Sequence, residues 1–218
     1  MFDKILSKKK LKYKHPNPLW IRKFMQFYNY YFTKINNLKT YQKIDPAHFI
    51  ESPKSKQNSK AIVDGSLYLV SRLVKNFNLN HNCNDYDFID VGCGNGLPMI
   101  FVKKKFNFKT VSGFDHLNEV VERCKDNIKR SRLKDINVFN YDAKEFKLSN
   151  KSNFVYMYNP FDSEILYNFM KNNIDNLRKN KSVIAYINQI DDELKIFREF
   201  LPKEINVDKY FKIYLIFF

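Results

Sequence analysis

Two hydrophobic patterns alternate along the chain from residue 86 onward. Short apolar runs recur between longer stretches in which apolar side chains follow a helical period. Such runs are typical of strands buried in a parallel sheet, and the stretches between them are long enough for crossover helices. The pattern predicts an α/β fold with strands at 87–91, 110–114, 136–140, 153–158, 182–188, 204–208 and 212–218, and with helices at 97–105, 117–133, 163–179 and 191–200.

The N-terminal part of the chain has a different pattern. Apolar residues recur with a helical period at 19–38, and a second helix is predicted at 61–77. Pro46 and Pro53 flank a predicted loop between these helices. We therefore expect a basic, aromatic-rich helical extension at 1–60 and an α/β domain at 61–218.

Positive charge is concentrated in the extension. Residues 1–60 hold 14 Lys and Arg against 3 Asp and Glu, a net charge of +11, whereas residues 61–218 hold 24 against 20, a net charge of +4. A local excess indicates an interaction surface, and nucleic acid is a candidate partner through this basic segment. Trp20, Tyr30 and Tyr31 would then form a stacking surface. Two alternatives stay open, because 31 Lys against 7 Arg is typical of AT-rich codon usage and the aromatic helix could simply pack on the sheet domain.

The apolar runs and the cysteines indicate the cellular compartment. No apolar run is long enough to cross a membrane, and no secretory signal is apparent at the N-terminus. Cys83, Cys93 and Cys124 are odd in number and lack the spacing of metal ligands. They predict free thiols in a cytoplasmic protein without a metal site.

The first candidate functional residues lie in the sequence DFIDVGCGNG, residues 87–96. Its three glycines follow a predicted strand, and glycine lets the backbone turn sharply and lie against a ligand. Asp90 is near the carboxyl end of that strand, where open α/β sheets bind ligands. The nicotinamide dinucleotide fingerprint GxGxxG would require glycine at position 97, which is Leu97, so an oxidoreductase is a disfavoured alternative.

The spacing DxGxGxG resembles motif I of the class I S-adenosylmethionine-dependent methyltransferases. The resemblance implies a Rossmann-like, mostly parallel sheet of seven strands with a C-terminal antiparallel hairpin, flanked by helices, and it implies S-adenosylmethionine as the cofactor. Asp115 would accept the ribose hydroxyls, Asp142 the adenine amine, and Asp90 would hold the loop and the methionine tail. The implied cofactor-binding residues are Asp90, Gly92, Cys93, Gly94, Asn95, Gly96, Asp115, His116, Asp142 and Ala143.

Several of these side chains also have a structural alternative. Asp115 could cap the following helix, and Asp142 could bond to its own turn. Asp90 could support the loop without touching the cofactor, and His116 could be an ordinary loop residue rather than a wall of the adenine site. Cys93 is more typical of a small side chain that fills a tight loop than of a reactive thiol.

A second motif, YNPF at residues 158–161, ends the fourth predicted strand. It partly resembles the (Asn/Asp)-Pro-Pro-aromatic motif of N6-adenine and glutamine methyltransferases, with one proline missing. The resemblance implies that Asn159 and Pro160 bind the hydrogens of a target nitrogen and that Phe161 stacks on the acceptor, which makes these three the predicted catalytic residues. A structural strand-end turn is the alternative. A general base, if the target must lose a proton first, would come from His48, Glu51, Asp142 or Asp162.

The sequence therefore predicts an S-adenosylmethionine-dependent methyltransferase (EC 2.1.1.-) with an unidentified acceptor. Transfer from an activated sulfonium requires mainly that the two reactants are aligned and water is excluded. The alternative function is a catalytically silent protein of the same fold that binds the cofactor or nucleic acid.

Overall fold

The computed structural model describes residues 18–40, 64–187 and 191–218. The helices and strands in these ranges, numbered in chain order, are α1 (Leu19–Ile35), α2 (Leu67–Phe77), β1 (Asp87–Val91), α3 (Leu97–Lys105), β2 (Thr110–Asp115), α4 (Asn118–Ser131), β3 (Ile136–Asn140), β4 (Asn153–Tyr158), α5 (Ser163–Lys179), β5 (Val183–Ile187), α6 (Asp191–Glu199), β6 (Glu204–Asp208) and β7 (Ile213–Phe217). A short 3-10 turn, Cys83–Asp85, precedes β1.

The seven strands form one mixed sheet in the order β3-β2-β1-β4-β5-β7-β6. The strands β1 to β5 are parallel, and β7 runs antiparallel to both β5 and β6. The chain winds outward from β1 to β3 and then returns to β4, which lies on the other side of β1. The predicted Rossmann-like sheet with a C-terminal antiparallel hairpin is confirmed. The carboxyl ends of β1 and β4 form the switch point at which such sheets bind ligands.

Helices cover both faces of the sheet because most side chains on both sides of its central strands are apolar. All five residues of β1 are buried, and so are those of β5. Successive residues enter different clusters: Phe88 packs in a cluster shared with α1, α2 and α3, whereas Ile89 packs in a cluster shared with α5 and α6. The result is a three-layer α/β/α arrangement.

The N-terminal helix α1 packs on the same core as the sheet. Ile21, Met25 and Phe32 are buried in the cluster that contains Phe88. The apolar pattern predicts that this helix reaches residue 38, but it ends at Ile35. The chain turns there with left-handed backbone at residue 37 (φ 53°) and with a hydrogen bond from the amide of residue 38 to the carbonyl of residue 33. The proposed boundary between residues 60 and 61 lies outside the described residues.

Helix α2 starts later than its apolar pattern predicts. The hydroxyl of Ser66 accepts a hydrogen bond from the amide of Leu69, so the described part of the predicted helix at 61–77 begins at Leu67. Residues 64–66 are not helical, and Gly65 among them lies against side chains of β4. None of the helices in the described ranges combines the length and the apolar character needed to cross a membrane.

Candidate active site

The loop after β1 is built on three glycines with left-handed backbone. The φ angles of Gly92, Gly94 and Gly96 are 71°, 52° and 74°, a region that residues with a Cβ rarely adopt. The amides of residues 92 and 93 both donate to the carbonyl of Phe114 at 3.0 Å, which pins the loop to the end of β2. The sequence pattern predicts this loop because only glycine adopts these angles at no steric cost.

Close packing on two sides adds a second reason for glycine. A Cβ at Gly92 would lie 2.6 Å from Cβ of Pro160, and a Cβ at Gly96 would lie 2.5 Å from Sγ of Cys124. The loop is therefore pressed between the turn after β4 and helix α4. This contact joins the predicted cofactor loop directly to the predicted catalytic turn.

Asp115, the last residue of β2, is joined to the glycine loop. Its Oδ2 accepts a hydrogen bond from the amide of Gly94 at 3.3 Å, and its Oδ1 accepts one from the amide of Leu117 at 3.2 Å. The N-cap position of α4 is Leu117, so Asp115 is not the cap of that helix. Each carboxylate oxygen has two lone pairs, so this carboxylate can still accept hydrogen bonds from two further hydroxyls. His116 Nδ1 lies 3.4 Å from Oδ1 of Asp115.

Asp90 is a buried carboxyl group that lacks a partner on one oxygen. The residue is 2% exposed, and Oδ2 has no hydrogen-bond partner among the described residues. Burial, with a smaller contribution from the charge of Asp115, raises the pKa of Asp90 well above its ordinary value. A buried polar group in this condition is costly unless a ligand supplies the missing partner.

Tyr156 is a second unpartnered group beside Asp90. It lies opposite Asp90 in the pairing of β4 with β1, and its buried hydroxyl has no hydrogen-bond partner in the part of the chain that the structure describes. Burial first, and then the charge of Asp90, raises the pKa of Tyr156. A Cβ at Gly65 would lie 3.2 Å from this hydroxyl, so the segment before α2 covers the hydroxyl of Tyr156. The two groups can together receive a small cationic group.

Asp64 and Asn127, which the sequence did not reveal as site residues, hold the glycine loop from outside. The side-chain amide of Asn95 donates to Asp64 Oδ1 at 2.8 Å. Asn127, which is completely buried on α4, donates to the carbonyl of Asn95 at 3.0 Å and also bonds both the amide and the carbonyl of Lys39. The available signal for Asn127 was its position three residues after the buried Cys124, on the apolar face of α4.

The end of β3 lies beside the end of β2. The amide of Tyr141 donates to the carbonyl of Asp115 at 3.0 Å, and the side chain of Asn140 donates to the carbonyl of His116 at 2.9 Å. In the turn that follows, Asp142 is exposed and its Oδ1 accepts a hydrogen bond from the amide of Lys144 at 2.8 Å, while Ala143 is buried. Asp142 and Ala143 thus lie in one turn next to the predicted ribose-binding carboxylate.

The turn after β4 is strained at one residue. Asn159 has left-handed backbone (φ 44°), which asparagine tolerates better than most residues and which is frequent at functional sites. Phe161 is 6% exposed and packs in the cluster that contains Ile89. The ring of Phe161 therefore anchors the turn to the core of the sheet domain.

Asn159 is linked to a buried tyrosine and a buried glutamate that the sequence did not reveal. The hydroxyl of Tyr186 lies 3.4 Å from Oδ1 of Asn159, and Glu193, 2% exposed on α6, also hydrogen bonds this hydroxyl. Burial first, and then the charge of Glu193, raises the pKa of Tyr186. The signal for Glu193 was its position three residues before the buried Ile196, on the apolar face of a short helix.

The other candidates have structural surroundings or lie outside the described residues. Cys93 and Cys124 are buried, and their mutual hydrogen bond, together with burial, raises the pKa of Cys93. Asp162 caps α5, with its Oδ1 accepting from the amide of Ile165 at 3.0 Å. His48 and Glu51 lie outside the described residues. Across residues 18–40, 64–187 and 191–218, no cluster of three or more His, Cys, Asp and Glu side chains is arranged to hold a metal ion.

Residues 88–180 match the family described as "Methyltransferase domain", and this range includes the glycine loop, Asp115, the turn after β3 and the turn after β4. Among solved structures, a SAM-dependent methyltransferase from Aquifex aeolicus is 18% identical, with a TM-score of 0.54 over 80% of this chain and 98% of that chain. The methyltransferase domain of bacterial CtHen1-CN is 19% identical, with a TM-score of 0.51 over 69% of this chain and 98% of that one. At these identities the two structures share the fold with this chain. No curated protein sequence matches it.

The family match covers the loop with the DxGxGxG spacing, and the two structural neighbours share the fold that presents it. Residues 88–180 of this chain therefore match a methyltransferase domain, on the Rossmann-like sheet that the chain shares with S-adenosylmethionine-dependent methyltransferases of known structure.

Proposed function

We propose that the protein transfers the methyl group of S-adenosylmethionine to an acceptor nitrogen held at the turn of Asn159, Pro160 and Phe161. The observation that carries this proposal is the contact between Pro160 and Gly92, because it brings the acceptor turn against the cofactor loop. Two reactants bound on either side of such a contact are neighbours, and proximity is the main requirement of methyl transfer from a sulfonium.

The cofactor site in this proposal runs along the carboxyl ends of β1, β2 and β3. The backbone of residues 92–96 lies against the cofactor, and Asp115 accepts hydrogen bonds from the two ribose hydroxyls. His116, Asp142 and Ala143 surround the adenine. Asp90 and the hydroxyl of Tyr156 receive the ammonium group of the methionine tail, which supports the proposal because both are buried and unpartnered among the described residues. The bound cofactor supplies an activated methyl group on sulfur.

The acceptor site in this proposal depends on the amide group of Asn159. The hydroxyl of Tyr186 has one proton and two neighbouring oxygen acceptors, Glu193 and Asn159. The hydroxyl donates to the amide oxygen of Asn159 and fixes its position, and that oxygen keeps a second lone pair. The amide oxygen of Asn159 then accepts the N–H of the methyl acceptor and orients the nitrogen lone pair toward the methyl group. Tyr186 and Glu193 are positioning residues in this scheme, because they act through Asn159.

Calorimetric titration tests the cofactor half of the proposal. We expect S-adenosylmethionine to bind with micromolar affinity, about −8 kcal/mol, and NAD not to bind. Gly94→Val should abolish binding, because a branched side chain with left-handed backbone would enter the space of the ligand. NAD binding in place of S-adenosylmethionine would support the oxidoreductase alternative.

Transfer of a tritiated methyl group tests the catalytic half. Cell lysate separated into RNA, DNA, protein and small-molecule fractions should contain one fraction that acquires label. Asn159→Ala should remove most of this label and leave cofactor affinity intact, whereas the exposed Asn206→Ala on β6 serves as the matched control. Tight cofactor binding with no label in any fraction would support the silent alternative.

A further inference from the structure

Helix α1 presents a row of aromatic rings to solvent, about a third of a turn around the helix from the buried Ile21, Met25 and Phe32. Trp20, Phe24, Phe27 and Tyr31 are separated by four, three and four residues, which places them on one face of the helix. Trp20 is 70% exposed, Phe27 63% and Tyr31 59%. We call these four residues the aromatic stripe. Phe24 is 47% exposed and also packs edge-on against Tyr68 of α2, with 5.4 Å between the ring centres, whereas the other three rings are mostly exposed.

The charge around the aromatic stripe has one sign. The charged side chains of α1 are Arg22, Lys23 and Lys34, and the helix has no acidic residue. Lys23 and Lys34 are exposed at the edge of the stripe, and Nζ of Lys34 lies 5.7 Å from the centre of the Tyr30 ring. The sequence around the helix, residues 1–60, has a net charge of +11. The surface complements a partner that is strongly negative and has flat apolar faces.

Single-stranded nucleic acid has both of these properties. Its bases stack on aromatic side chains while its phosphates contact cations, whereas the bases of a duplex are covered by their neighbours. The rings of the aromatic stripe follow one another at about 4.5 to 6 Å along the helix axis, from separations of three and four residues at a rise of 1.5 Å. Phe27 and Tyr31 are already nearly parallel, with ring centres 6.4 Å apart and 24° between their planes. Two copies of the same cationic helix would repel one another, which disfavours a self-contact.

We propose that the aromatic stripe of α1 binds single-stranded nucleic acid, with bases stacked on its rings and phosphates on Lys23 and Lys34. This role is separate from methyl transfer and does not depend on it. The helix is nevertheless fixed to the candidate active site, because Asn29 donates to the carbonyl of Gly65 and accepts from the amide of Leu67, both at 2.9 Å. Gly65 in turn lies against Tyr156 and Tyr158. The helix that carries the stripe is therefore anchored to the segment before α2, which packs on the end of β4.

Trp20 makes the proposal directly measurable, because it is the one tryptophan of the chain. Titration of the full-length protein with the 20-mers dT20 and rU20 should quench its fluorescence, and the oligonucleotide anisotropy should rise in parallel. Phe27→Ala and Tyr31→Ala should each weaken binding about fivefold to a hundredfold, since base stacking contributes about 1–3 kcal/mol per ring. Phe139→Ala, another half-exposed ring on β3, is the matched control and should bind as the wild type does.

Salt and charge variants test the role of the phosphates. The Lys23→Ala/Lys34→Ala double variant should reduce the slope of log affinity against log salt by about 0.7 for each phosphate that the protein no longer neutralises. Lys171→Ala/Lys179→Ala, on α5 across the sheet, is the control pair and should keep the wild-type slope. Calorimetric affinity for S-adenosylmethionine is measured on every variant, so that a failure of the stripe is distinguished from a failure of the cofactor site.

Three results would overturn the proposal. One is the absence of quenching and anisotropy change with dT20 and rU20 at low salt. The second is unchanged binding by Phe27→Ala and Tyr31→Ala in proteins with wild-type melting temperatures. The third is a blue shift of Trp20 fluorescence on vesicles of phosphatidylcholine and phosphatidylserine without binding of either oligonucleotide, which would assign the stripe to an anionic membrane surface instead.

Discussion

Replacement of Asp90 by asparagine should make the unliganded protein more stable than the wild type, by an amount that grows as pH rises. The same replacement should weaken the binding of S-adenosylmethionine. Both effects come from one buried carboxyl group with an unpartnered oxygen. Burial raises its pKa above the ordinary value of 3.8, so the folded protein retains a proton that the unfolded chain has already lost. The folded state then binds more protons than the unfolded state, and the free energy of unfolding falls as pH rises from about 3.8 toward the raised pKa. Asparagine does not titrate, so the variant lacks this fall in the free energy of unfolding with pH.

The size of the two effects follows from linkage. Each unit by which the pKa is raised corresponds to about 1.4 kcal/mol of stability that the wild type loses across that interval and Asp90→Asn does not. A cationic ligand group next to Asp90 favours the ionised carboxylate, so cofactor binding should release a proton. Wild-type affinity should therefore rise by up to about tenfold per pH unit in the same interval. Asp90→Asn should lose this pH dependence and bind about tenfold to a hundredfold more weakly at neutral pH, because a hydrogen bond to a charged group contributes about 1.5–3 kcal/mol.

The assay is urea unfolding of the unliganded protein and calorimetric titration of the cofactor, each between pH 5 and pH 8 for both proteins. Asp175→Asn, at an exposed aspartate on α5, controls for the loss of one charge. Equal loss of stability with pH in wild type and Asp90→Asn would show that Asp90 is not the titrating group. Wild-type affinity in Asp90→Asn would remove the carboxylate from the cofactor site.

Four further substitutions test three separate parts of the site. Asp115→Ala should lower cofactor affinity about tenfold to a hundredfold in calorimetry, because it removes the charged acceptor for two hydroxyls; unchanged affinity would place the ribose elsewhere. Gly92→Ala should destabilise the protein by at least about 1–3 kcal/mol in urea unfolding, since left-handed backbone alone costs that much in a residue with a Cβ and the new Cβ meets Pro160; wild-type stability would contradict the close packing of loop and turn. Tyr186→Phe should reduce the methyl-transfer rate while cofactor affinity is unchanged, and Glu193→Gln should act in the same direction; equal rates would disconnect this pair from Asn159.

The sheet and the glycine loop could be predicted because their physical causes are local in the sequence. A strand such as β5, buried on both faces, is predicted from its continuous apolar run, and the left-handed angles of Gly92, Gly94 and Gly96 are predicted from glycine itself. Helix ends were less accurate. The end of α1 depends on the left-handed backbone at Asn37, an angle that asparagine tolerates but does not require.

The supports of the site could not be predicted, because they join residues that are distant in the chain. Asp64 reaches Asn95, and Tyr186 reaches Asn159, across 31 and 27 residues respectively. Single polar residues in such pairs leave no periodic pattern. A buried polar position on an amphipathic helix, as for Asn127 and Glu193, indicates that a partner exists but does not identify it.

Two asparagine side chains in this protein hydrogen bond to short backbone segments as a neighbouring strand would. A side-chain amide has both a donor and an acceptor, so it can satisfy a short backbone segment that has no neighbouring strand. Asn29 bonds the carbonyl of residue 65 and the amide of residue 67, and Asn127 bonds both the amide and the carbonyl of residue 39. Since Asn127 also holds the carbonyl of Asn95, the segment after α1 and the cofactor loop share one buried anchor. A ligand that orders the glycine loop should therefore also protect the backbone of residues 38–40 from hydrogen exchange, and loss of that protection in Asn127→Ala with cofactor still bound would confirm the connection.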